Sequence, residues 1–172
     1  MFDRNMTYTF RKAELSDIMP IWDILQSAIQ RRKNDGSEQW QDGYPNKEII
    51  TTDIERGEGF VLLDDEMVIG YTAIIANNEP AYDDIKSEWL TSGDYVVVHR
   101  VALSENYLGK GLAKKILGFV EEVAISLGIH SIKADTNFDN IAMLNIFEKL
   151  GYVYCGEVFF RGSARKAFEK VL

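Results

Sequence analysis

The chain has 172 residues, of which 46% are apolar, 12% aromatic and 27% charged, with only 3 prolines. That balance supports a single domain over residues 1–172 with a sizeable core, and it excludes a disordered or fibrous chain. A net charge of −8 argues against nucleic acid as a partner, because phosphate binding needs clustered positive charge.

Met1–Asn5 reads as a frayed start. With Asp3, Arg4, Arg11, Lys12 and Glu14 and no apolar stretch, it does not resemble a secretory signal. Thr7–Arg11 alternates and predicts a first strand. Ser16 is placed to cap a helix whose apolar residues, Ile18, Ile21, Trp22, Leu25, Ala28 and Ile29, recur at helical spacing up to Arg31. Asn34, Asp35 and Gly36 end it, and Asn46 opens a second, short helix that Gly57 closes. Phe60–Leu63 and Val68–Ala76 read as a hairpin around Asp64, Asp65 and Glu66. Apolar runs such as Phe60–Leu63 stop at four residues, against the ~20 that a membrane-spanning helix needs. No membrane association is expected, and the cytoplasm is the expected address.

Asn77–Gly93 is polar and reads as an excursion from the sheet. Tyr95–Leu103 follows as a strand, its three consecutive valines suiting a strand covered on both faces. An amphipathic helix runs from Leu112 to Leu127 and stops at Gly128. Ile129–Thr136 predicts a strand and Asn140–Leu150 a helix; Tyr152–Phe160 and Ala164–Leu172 predict two closing strands joined at Gly162. The fold class is therefore α/β, with a mixed sheet and helices on both faces. Cys155, the single cysteine, can form no internal disulfide; it suits a small buried position and makes a cysteine-based metal site untenable.

One junction carries chemistry. A valine-rich strand ends at Leu103, a short turn follows, and Gly109-Lys110-Gly111-Leu112-Ala113 opens a long helix. Glycines at such a turn let main-chain N–H groups approach an anion closely, with the helix dipole in support. On the glycines alone, a tight turn beside solvated Lys110 and Lys114 fits equally well. No Gly-Lys-Ser/Thr is present, and Lys114 stands where the third glycine of a dinucleotide fingerprint belongs.

The run from Val98 to Ala113, together with Asn140-x-x-Met143-x-x-x-Phe147-Glu-Lys-Leu-Gly151-Tyr152, resembles the acetyl-CoA motifs of the GNAT superfamily of N-acetyltransferases. The element order matches that fold along nearly the whole chain. The family signature, Gln/Arg-x-x-Gly-x-Gly/Ala, falls on Leu108, Gly111 and Ala113, with Leu108 departing from it. The resemblance implies that main-chain N–H groups of Leu108, Gly109, Lys110, Gly111, Leu112 and Ala113 hold the pyrophosphate of acetyl-CoA. It implies that the strand before the turn bulges and splays from the next, that the pantetheine arm lies in the gap and pairs with backbone groups of Val101, Ala102 and Leu103, and that Asn140 reaches the cofactor. Asn140 also stands where a helix cap belongs. No metal is implied.

Phe147, among the cofactor-contacting positions, stands where many members carry the tyrosine proposed to protonate the departing thiolate. Unassisted departure, water, or a hydroxyl from Tyr107, Tyr152 or Tyr154 are the replacements. A silent acyl-CoA-binding module is the alternative to an enzyme. His99 is the candidate general base for an amine acceptor, its ordinary pKa near 6.5 suiting the task; a hydrogen-bonded strand histidine is the other reading. His130 reads as surface, Glu105 as shaping the turn and Arg100 as half of a structural ion pair. Glu79, Asp83, Asp84, Glu88 and Asp94, against Lys86 alone, would attract a cationic primary amine. Trp40 and Tyr44 either line the acceptor pocket or anchor their loop. A homodimer stays open.

Overall fold

The computed structural model describes residues 7–85 and 88–172; the Met1–Asn5 start and Lys86 lie outside them. Among the described residues, seven strands and four α-helices follow the order the sequence predicts, with three short 3-10 helices added, and the strands, numbered along the chain, hydrogen-bond in the order β1-β2-β3-β4-β5-β7-β6. The chain divides into two compact units. One comprises the chain up to Ala73 with Arg100–Leu112; the other comprises Ile74–His99 and Ala113–Leu172.

In the first unit, β1 (Tyr8–Lys12), β2 (Gly59–Asp64) and the start of β3 (Met67–Ala76) form antiparallel ladders. Phe10 pairs with Leu62, and Phe60 with Thr72. The helix α1 (Ile18–Asn34) begins at Ile18, the first residue of its apolar pattern, and ends three residues beyond Arg31. Ser16 does not cap it. Asp17 ties the entry instead, its carboxylate accepting from the Glu14 N–H at 2.7 Å while pairing with Arg11 at 2.7 Å. An aspartate can accept from a backbone donor while pairing its charge with a guanidinium, whereas a serine hydroxyl has no charge to pair. Burial raises the Asp17 pKa, and these bonds outweigh it, leaving the value below the usual carboxylate range. Asn46 caps α2 (Lys47–Glu55) as expected, accepting from the Ile49 N–H at 3.0 Å. The core of this unit gathers Ile21, Leu25, Ile50, Val61 and Tyr71, all fully buried, with Ala102. Each such aliphatic side chain contributes about 1.5–3 kcal/mol relative to exposure.

In the second unit, the start of β4 (Val96–Leu103) runs parallel to β5 (Ser131–Thr136), with Val96 beside Ile132 and Val97 beside Lys133. β7 (Ser163–Val171) lies antiparallel to both β5 and β6 (Val153–Phe160), and β6 bulges at Cys155. Arg161 and Gly162 both adopt left-handed φ (48° and 76°), the two-residue turn whose twist suits a hairpin. The helix α3 (Leu112–Ser126) ends in a Schellman motif: left-handed Gly128 lets the Ile129 N–H reach the Ala124 carbonyl at 2.9 Å. α4 (Ile141–Lys149) ends the same way at Gly151. Tyr82, Trp89, Val97, Cys155, Val158 and Ala167 form this unit's core. Among the described residues, no helix is long and apolar enough to cross a membrane.

Candidate active site

The junction begins inside β4. Arg100 adopts a left-handed φ of 57°, costly for a side chain that long and therefore held by its surroundings. Its guanidinium donates to Asp53 from Nε at 3.0 Å and from Nη2 at 2.6 Å, and from Nη1 to the Tyr44 hydroxyl at 2.5 Å. The Tyr71 hydroxyl donates to the same Asp53 carboxylate through a short bond. Burial opposes the guanidinium charge, and Tyr44 and Asp53 more than offset it, so the Arg100 pKa is raised. Burial and the adjacent Asp53 likewise push the Tyr71 hydroxyl up. The expected structural pair of Arg100 is thus real, and Asp53 is its partner. Tyr44 belongs to this network. Trp40, at a left-handed φ of 63°, packs against the first unit's core, the placement of a loop anchor.

Beyond Leu103 the turn is held from several sides. The Ser104 N–H donates to Ile69 O at 2.8 Å, and Arg31 Nη2 donates to Leu103 O at 3.3 Å. The Tyr107 hydroxyl donates to Asp64 at 2.6 Å, a bond that pushes its pKa up to about 12. Lys110 lies over the Tyr107 ring, 5.0 Å from its centroid. Gly109 and Gly111 then follow at φ 73° and 74°, both exposed, and a Cβ at either would meet nothing within 4 Å. Two left-handed glycines flanking an exposed Lys110 at the mouth of a helix make an open main-chain cradle. Its donor set suits an anion such as a pyrophosphate. Val101, Ala102 and Leu103 lie on β4 just before it.

The second unit carries a different cluster. His99 Nε2 lies 2.7 Å from Glu79 Oε2, and Nδ1 lies 4.0 Å from Asp135 Oδ1, with 13% of the imidazole side chain exposed. The Tyr82 hydroxyl donates to Asp135 Oδ1 at 2.6 Å. Burial raises the Asp135 pKa, as it raises that of Tyr82. Arg165 Nη1 stands 4.0 Å from Asp135 Oδ2, and the Phe160 ring is edge-on to His99 at 6.0 Å and beneath the Arg165 guanidinium at 5.5 Å. The excursion bearing Glu79 and Tyr82 is fastened to this unit. Trp89 Nε1 donates to Tyr82 O at 3.0 Å, and fully buried Glu169 accepts from the Leu90 N–H at 2.6 Å and from Ser131 at 2.7 Å. Lys133 sits over the Tyr95 and Trp89 rings at 4.0 and 4.4 Å, and burial lowers its pKa. Asp83, Asp84, Glu88 and Asp94 are exposed.

Asn140 caps α4, accepting from the Met143 N–H at 3.3 Å and donating to Thr136 Oγ1 at 3.0 Å. Phe147 is buried between Tyr152 and Phe168, 5.0 Å from each ring. Of the substitute hydroxyls, Tyr107 is committed to Asp64, Tyr152 is buried with its pKa raised, and Tyr154 is exposed on β6. Sequence reasoning missed Asp53, Asp135, Tyr82 and Arg165. No local signal marked them: in β5 Asp135 shares a face with Ser131 and Lys133, opposite Ile132 and Ala134, a pattern that reads as a solvated face.

The model of the acetyltransferase (GNAT) family matches residues 21–152. The chain belongs to the GNAT acetyltransferase family. This GNAT protein is 35% identical to a GNAT acetyltransferase of Streptococcus agalactiae, with a TM-score of 0.86 over 96% of this chain and 95% of that one. It is 27% identical to the N-acetyltransferase YesJ of Bacillus subtilis over 153 residues, 84% of this chain and 81% of the relative. YncA of Salmonella typhimurium, solved with acetyl-CoA, shares the fold at 18% identity and a TM-score of 0.69, covering 96% of this chain and 94% of that one. The family's activity is acetyl-CoA-dependent N-acetylation, and the open glycine cradle fits that co-substrate.

Proposed function

We propose that this protein is a single-domain cytoplasmic enzyme that moves the acetyl group of acetyl-CoA directly to a primary amine, with the His99–Glu79 pair receiving the proton. The observation carrying the catalytic part is the 2.7 Å contact between His99 Nε2 and Glu79 Oε2 on a mostly buried imidazole. With Nε2–H donating to Glu79, Nδ1 is the basic nitrogen. The ammonium acceptor gives one proton to His99 and thence to solvent. Its nitrogen attacks the thioester carbonyl, the C–N bond forms and the C–S bond breaks. The second amine proton ends on the CoA sulfur, so amine and acetyl-CoA become amide and free thiol.

The cradle from Leu108 to Ala113 is the pyrophosphate site of this proposal, with Val101, Ala102 and Leu103 offering backbone groups to the pantetheine arm. Main-chain donors on β4 meet the oxyanion, a preorganised electrostatic contribution. The exposed carboxylates Asp83, Asp84 and Glu88 favour approach of a cation. A CoA-release screen over a broad amine panel tests the reading, with the acetylated product confirmed by mass. Turnover that vanishes in His99→Gln is the expected result. CoA binding without turnover on every amine would overturn it in favour of a silent binding module.

A further inference from the structure

Arg165 has no role in the reaction as described, yet its guanidinium is incompletely satisfied. Its side chain is nine-tenths buried, with 10% exposed. Among the described residues its Nε has no hydrogen-bond partner. Its nearest carboxylate, Asp135, stands 4.0 Å from Nη1, beyond hydrogen-bond range, and one oxygen of that carboxylate is already bonded to Tyr82 at 2.6 Å. The Phe160 ring covers the guanidinium and also meets His99. A buried guanidinium N–H without an acceptor is costly, and guanidinium donors match carboxylate geometry. Arg165 therefore stands where a ligand acceptor would complete it. The neighbouring groups Glu79 and Asp135 have the opposite preference, for a cation. One cluster thus offers both poles, a cationic donor across the Phe160 ring from a histidine–carboxylate pair.

We propose that the acceptor is a free amino acid, its carboxylate taken by Arg165 and its amine presented to His99 and Glu79. This rests on the transferase reading above and specifies its substrate class. A polyamine or other carboxylate-free amine would leave Arg165 unsatisfied.

The experiment compares α- and ω-amino acids with their decarboxylated counterparts in the wild type, Arg165→Met and Arg165→Lys. Steady-state CoA release is paired with calorimetric titration of the same amino acids into the CoA-saturated protein. The wild type is expected to favour amino acids by about 10- to 100-fold in kcat/KM, the worth of a charge-assisted pair. Arg165→Met should erase that preference by raising the amino acid's KM, leaving the KM for acetyl-CoA and the melting temperature near wild type. Arg165→Lys should restore part of it. Equal use of the decarboxylated amines by the wild type, or loss of both substrate classes alike in a folded Arg165→Met, would overturn the proposal. Arg165-dependent calorimetric binding of amino acids without any CoA release would support the amino-acid site and sink the transferase reading instead. Absence of both binding and release would overturn the site itself.

Discussion

His99 and Arg100 are neighbours on β4, and they serve two clusters of opposite character. Around Arg100, in the first unit, every bond is short and matched: Asp53 takes the guanidinium through two nitrogens, Tyr44 takes the third, and Tyr71 bonds Asp53. Around His99, in the second unit, close bonds join His99 to Glu79 and Tyr82 to Asp135, whereas Arg165 stands 4.0 Å from Asp135 and, among the described residues, its Nε lacks a partner. A closed cluster spends its charges on itself and stabilises the fold. A cluster with an unmatched donor still has a bond to offer.

The largest expected effect tests the closed cluster. Asp53→Ala strands the buried Arg100 charge and should cost about 3–5 kcal/mol of unfolding free energy, measured by urea denaturation. A loss below about 1 kcal/mol would mean that water or another group takes over, and that the network is not closed. His99→Gln probes the other side. It should lower kcat by about 100-fold or more, the scale of general base catalysis, while the melting temperature moves little. A large loss of stability with unchanged kcat in the surviving folded enzyme would make His99 another scaffold residue.

A third substitution sharpens the contrast at the cradle. Gly111→Glu places a side chain and a negative charge where a pyrophosphate would lie, and CoA affinity should fall about 10- to 100-fold by calorimetry. Gly111→Ala shares the left-handed strain without the charge and separates the two causes. Unchanged affinity in both would remove the cofactor from this turn.

The smallest effect is on pH dependence. Burial raises the Asp135 pKa in the folded state, so the folded chain holds this proton more tightly than the unfolded one. Stability contributed by Asp135 is then present below the unfolded carboxylate value of about 3.9 and is lost as pH rises toward the raised folded value. Asp135→Asn, which can still accept from Tyr82, should flatten the stability profile across that window in denaturation series. An unchanged slope would mean that Arg165 and His99 compensate the buried charge after all.

Element order, the capping of α2 by Asn46, the glycine stops after α3 and α4 and the glycine turn before α3 were all legible in the chain. Each rests on local rules: periodicity, a side chain that can bond the backbone nearby, and a left-handed φ that glycine takes without strain. The failure at Ser16 is instructive. A local rule chose the nearest capping hydroxyl, whereas a distant guanidinium, Arg11, made Asp17 the better anchor. The same limit explains the site. Asp53 and Arg100 are 47 positions apart, Glu79 and His99 are 20, and Tyr82 and Asp135 are 53. Alternation along β5 groups Asp135 with Ser131 and Lys133, opposite Ile132 and Ala134, and does not say that this polar face is buried or which charges it meets. By itself the sequence determined where the backbone turns and where helices stop, because those depend on neighbours in the chain. Which carboxylate neutralises Arg100 and which donor stays unmatched were decided only when strands and helices were brought together, because ionic and hydrogen-bond partnerships depend on distances that tertiary packing alone sets.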